Sequence, residues 1–65
     1  MNNDNVHVQE RLCGTQIVFF RFVVNGDEVK ITKYSNSDLI FKMTMPRAEA
    51  RIMWKRNVQD GFKTV

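Results

Sequence analysis

The sequence predicts an α+β domain: a three-stranded antiparallel sheet, open to a short fourth strand at its N-terminal end, packed on one face by a C-terminal helix. Three observations predict it. Gln16 to Val24 is dense in β-branched and aromatic residues and is followed at once by Asn25-Gly26, the strongest short-range signal for a hairpin. Two more runs of strand composition, Glu28 to Tyr34 and Leu39 to Met45, are separated by the turn-forming Ser35-Asn36-Ser37-Asp38. Pro46 then opens a segment with helical apolar spacing that Gly61 ends.

Taken in order, residues 1–5 are polar and expected to be disordered. Val6-His7-Val8 alternates weakly, with Cys13-Gly14-Thr15 as the following turn. If Asn25 and Gly26 are the two turn residues, Phe22 faces Val29 and Phe20 faces Ile31; a longer loop shifts the partners by one pair but preserves the faces. Val18, Phe20, Phe22, Val24, Val29 and Ile31 form the inner face. On the third strand Leu39, Phe41 and Met43 point one way, and Ile40, Lys42 and Thr44 the other. Ala50, Met53, Trp54, Val58 and the edge of Asn57 form the buried stripe of the helix, laid across Phe20, Phe22, Ile31 and Phe41. Ile52 points away, and Phe62 folds back past Gly61.

The 65 residues form one small domain, near the lower limit for folding without a disulfide, a metal or a partner. On stability grounds alone, self-association is therefore an open alternative. The single Cys13 excludes an internal disulfide and fits a reducing cytoplasm. No signal-like or membrane-spanning apolar run is present. The expected location is cytoplasmic.

Catalysis is not expected. His7 and Cys13 are the only residues of their kinds, they lack a third group to orient them, and they cannot complete a zinc site. No glycine-rich phosphate loop exists. Neither cofactor, metal nor small-molecule substrate is expected.

The sheet face away from the helix carries the candidate binding residues: Ile17, Phe19, Arg21, Val23, Lys30, Tyr34, Ile40 and Lys42. In the two-residue-turn register Phe19 is opposite Thr32 and Arg21 opposite Lys30, a like-charge pair that an anion would relieve. Aromatic and basic side chains interleaved on a sheet suit single-stranded nucleic acid. Ile17, Phe19, Val23 and Ile40 would also form an apolar patch that a protein partner, a second copy or the N-terminal segment would cover; an ordinary solvated sheet face, where Thr, Lys, Arg and Tyr are routine, is the remaining alternative. The net charge of +3 is carried wholly by residues 36–65, which hold six basic and three acidic side chains. Of these, Arg47, Arg51 and Lys55 line one helix flank; an ordinary solvated flank is the favoured expectation, with phosphate contact as the alternative.

The order of three strands and a helix, with Phe41-Lys42-Met43-Thr44-Met45-Pro46-Arg47-Ala48-Glu49-Ala50-Arg51 at the junction, resembles plant AP2-type and integrase-type DNA-binding domains. That resemblance implies DNA reading by the sheet face through Arg21, Lys30 and Lys42. The first strand departs from that pattern in being apolar rather than rich in Arg and Trp. Pro46-Arg47-Ala48-Glu49-Ala50-Arg51, with Trp54 and Gly61, resembles the C-terminal helix of short uncharacterised proteins of cyanobacteria and their phages, over less than a third of the chain. This second likeness implies no biochemical function and points to a small host-directed or regulatory protein. The sequence reading is thus a non-enzymatic regulatory or interaction protein that binds a protein partner or itself through the outer sheet face or a strand edge, with nucleic-acid binding as the alternative.

Overall fold

The computed structural model describes residues 5–65. Its elements are β1 (Val6–Cys13), β2 (Gln16–Asn25), β3 (Glu28–Ser35), β4 (Asp38–Pro46), α1 (Arg47–Gln59) and β5 (Lys63–Thr64). The α+β class holds, but the sheet has five antiparallel strands in the order β4-β3-β2-β1-β5, rather than three or four. The expected disorder of residues 1–5 falls outside the described residues except at Asn5, whose carbonyl accepts a hydrogen bond of 2.8 Å from the Val24 N–H.

Three two-residue turns connect β1 to β4, and each puts positive φ on its first turn residue: Gly14 (64°), Gly26 (65°) and Asn36 (55°). This corrects the central register. The turn is Gly26-Asp27, not Asn25-Gly26, because Gly26 takes the left-handed position while Asn25 still pairs with Glu28. Phe22 therefore faces Ile31, Phe20 faces Lys33, Phe19 faces Tyr34 and Arg21 faces Thr32. The expected Arg21–Lys30 opposition does not occur. The faces are unchanged, since the shift is a whole pair.

A second correction lies in β4. Phe41 faces Lys33 and Leu39 faces Tyr34, which leaves Ile40 as an extra residue in a β-bulge. Leu39 thereby joins the register of the outer face and leaves that of Phe41 and Met43.

The core unites Phe20, Phe22, Val29, Ile31, Ala50 and Phe62, with Val18, Val24, Phe41, Met45, Met53 and Trp54 half-buried around it. Pro46 ends β4 and serves as the helix N-cap, and the Arg47 N–H binds the Asp27 carbonyl at 2.8 Å. At the other end, the Phe62 N–H reaches the Asn57 carbonyl at 3.0 Å and the Gly61 N–H reaches Val58 at 3.1 Å. These are the two bonds of a Schellman cap. Gly61 adopts φ of 101° there. The chain then turns so that Phe62 lies edge-on to Phe20 at 5.1 Å, and β5 pairs with β1.

The helix stripe also differs from expectation. Asn57 is buried and Val58 is 49% exposed. Asn57 holds that place because its Nδ2 donates to the Gln9 side-chain oxygen at 3.1 Å, while Gln9 donates to the Trp54 carbonyl at 3.2 Å. Gln9 is wholly inaccessible. A helix of about 10 Å diameter cannot cover five strands spaced about 4.8 Å apart. α1 is anchored to Asp27 at its start and to Gln9 near its end. It leaves Met43 exposed, and a groove opens beside its N-terminal half.

Candidate functional site

The outer face is built from the alternate residues of each strand, and the registers sort them into rows. One row runs Glu10–Phe19–Tyr34–Leu39, the next Val8–Arg21–Thr32–Lys42, and the third Val6–Val23–Lys30–Thr44. Leu12 and Ile17 pair beyond the first row. Ile17 is held there by a backbone bond to Asn36 Oδ1 at 3.0 Å, and its carbonyl accepts the Asn36 N–H at 2.8 Å.

The eight predicted sheet residues thus lie on or beside one surface, but grouped differently than expected. Phe19 and Tyr34 are direct cross-strand neighbours, half-buried, at one end. Leu12 (70% exposed), Ile17 (39%), Leu39 (50%) and the bulged Ile40 (51%) surround them. Arg21 and Lys42 flank Thr32 in the middle row. Thr32, paired with both, is itself buried, as the long stems of two flanking cations can shield a small side chain between them. Lys30 lies one row further, beside Val23 and Thr44.

Sequence reasoning offered only a short extra strand at Val6-His7-Val8 and missed that β1 runs the full length Val6–Cys13. The N-terminal strand lies within the sheet instead of across its outer face, so it enlarges the apolar surface with Val6, Val8 and Leu12 instead of covering it. Its signal was weak because the inward residue at its centre is Gln9, a polar side chain whose partners come from α1.

The outer face also borders the free edge of β4. Charges here are mixed but favour the positive: Arg21, Lys30, Lys42 and Lys63 against Glu10 and Glu28.

The second predicted set divides. Arg47 and Arg51 line the groove beside α1, together with His7, Phe22, Val24, Val29, Ala50 and Trp54; Lys55 does not line it. His7 meets the Trp54 ring edge-on at 6.0 Å. Cys13 is exposed at the end of the same strand, six residues and roughly 20 Å further along. The two are therefore too far apart to act as a nucleophile and base. Among the described residues, no cluster of three or more His, Cys, Asp or Glu side chains could hold a metal ion. No described helix is long and apolar enough to cross a membrane.

Comparisons with known protein families, with curated proteins and with solved structures find no match.

Proposed function

We propose that this protein is a non-enzymatic interaction module that binds a protein partner, or a second copy of itself, through the outer sheet face and the adjoining β4 edge. The observation that carries this reading is the apolar band of Leu12, Ile17, Phe19, Tyr34, Leu39 and Ile40 across four strands. Such a band is costly to leave in water and is the usual mark of a contact surface. The free backbone groups of β4 add a place for strand pairing. The Arg21–Lys42 row favours a partner with carboxylates opposite it, and in a self-pair Glu28 of the other copy fills that role.

The test combines sedimentation over micromolar concentrations with affinity capture from source-cell lysate, with and without nuclease. Phe19→Lys should abolish self-association or nuclease-resistant capture while leaving the thermal melt near wild type. A monomer that captures the same proteins with or without the substitution refutes the outer-face reading.

A second reading, single-stranded nucleic-acid binding, is favoured by the placement of Phe19 and Tyr34 beside Arg21 and Lys42. Under it, affinity falls steeply with salt, and Arg21→Ala with Lys42→Ala flattens the slope by about two phosphates. Binding indifferent to salt, or none at low salt, removes it.

A further inference from the structure

The groove beside the N-terminal half of α1 lies on the opposite side of the sheet from the outer face. It has a volume of about 310 Å³, at the small end of the roughly 300–1,000 Å³ range of ligand clefts. That is room for one large apolar side chain and a neighbouring carboxylate. Its floor is apolar: Phe22, Val24, Val29, Ala50 and Trp54. Its polar rim is cationic or neutral: Arg47, Arg51 and His7, and among the described residues none of those lining it is acidic.

We propose that this groove is a second docking site, for a short acidic peptide segment of a partner protein that sets a large apolar side chain beside a carboxylate. Charge complementarity selects this occupant. Arg47 and Arg51 stand one helical turn apart on the same flank, and guanidinium groups bind carboxylates in matched two-point geometry. The apolar floor beneath them buries the neighbouring side chain. The start of α1 is fixed to the sheet, because the Arg47 N–H is tied to the Asp27 carbonyl at 2.8 Å, so the helix flank that carries both arginines keeps its place beside the apolar floor. A nucleic-acid strand fits it poorly. The Phe22 and Trp54 rings meet edge to face at 5.0 Å, so they engage one another instead of presenting a flat platform to bases.

This site is independent of the outer-face reading, and the experiment separates them. A random heptapeptide display library is selected on the full chain and, in parallel, on R47A/R51A. An enriched peptide is then synthesised and titrated against the fluorescence of Trp54, the only tryptophan in the chain. Expected are peptides with Asp or Glu within two positions of Phe, Trp, Leu or Ile, and a saturable change in Trp54 emission. Both arginines are exposed, so R47A/R51A should melt as wild type yet bind about tenfold more weakly, the product of two solvent-screened charge pairs. Lys55→Ala and Phe19→Lys should bind as wild type, the latter result standing whether or not the outer face has a partner. The proposal is overturned by enrichment that is the same on R47A/R51A, by equal binding when the acidic residues are replaced with lysine, or by displacement with a single-stranded oligonucleotide at constant ionic strength.

Discussion

The Gln9–Asn57 link ties the sheet to the helix through groups removed from water, and its removal has a predictable cost. Gln9 is wholly inaccessible and Asn57 is 8% exposed; their side chains bond at 3.1 Å, and Gln9 also reaches the Trp54 carbonyl at 3.2 Å. In Gln9→Leu the volume is nearly kept, but the Asn57 amide loses its Gln9 acceptor. A buried donor left unpaired costs about 1–3 kcal/mol. The Trp54 carbonyl loses less, because it sits within α1 and retains the helical bond. Asn57→Leu leaves the Gln9 oxygen unpaired in the same way, so each single variant should lose about 2 kcal/mol. The double variant Q9L/N57L leaves neither partner stranded and should lose less than the sum, with a coupling of about 1–2 kcal/mol. A chain this size has a total stability of only about 3–10 kcal/mol, so each single loss is plain in urea unfolding followed through Trp54. Additive losses, or near-neutral single variants, would show that the pair is not coupled and that β1 and α1 are held by apolar contact alone.

Phe20→Ala removes a ring that meets Phe22, Phe41 and Phe62 at 6.3, 6.2 and 5.1 Å; it should cost about 3–5 kcal/mol, and a near-wild-type melt would contradict the core assignment. Gly61→Ala places a Cβ no nearer than 3.7 Å to the Arg11 side chain, so its cost is conformational, about 1–2 kcal/mol, read as a lower melting temperature. Loss of the Gly61 turn should also free β5, seen as faster amide exchange at Val65, whose N–H binds the Val8 carbonyl at 3.0 Å.

Much of this architecture is legible locally. Alternation in β2 and β3 identifies the inner faces, since Phe20, Phe22, Val29 and Ile31 are apolar where their neighbours are mixed, and a register error of one whole pair leaves those faces intact. Pro46 and Gly61 bracket the helix because their backbone preferences act within a few residues. Of the candidate binding residues, those on β2 and β3 could be assigned to one face by parity alone, whereas in β4 the bulge at Ile40 breaks the parity and brings Leu39 to that face. The grouping into rows could not be assigned by parity, because it depends on which residue of Asn25-Gly26-Asp27 starts the turn.

The amino-acid sequence by itself determined the α+β class, the central hairpin, the Phe-rich core, the helix ends and the presence of an unshielded apolar and basic face. These follow from side-chain periodicity and backbone preference, which are local. Only the tertiary structure decided that β1 is a full strand, that Ile40 bulges, that Asn57 displaces Val58 from the buried stripe, and that Arg47 and Arg51 border an apolar groove while Lys55 does not. Each of these rests on a partner distant in the chain. Gln9 is tolerable in the interior only because Asn57 and the Trp54 carbonyl meet it from α1, and the groove exists only because one helix is narrower than five strands.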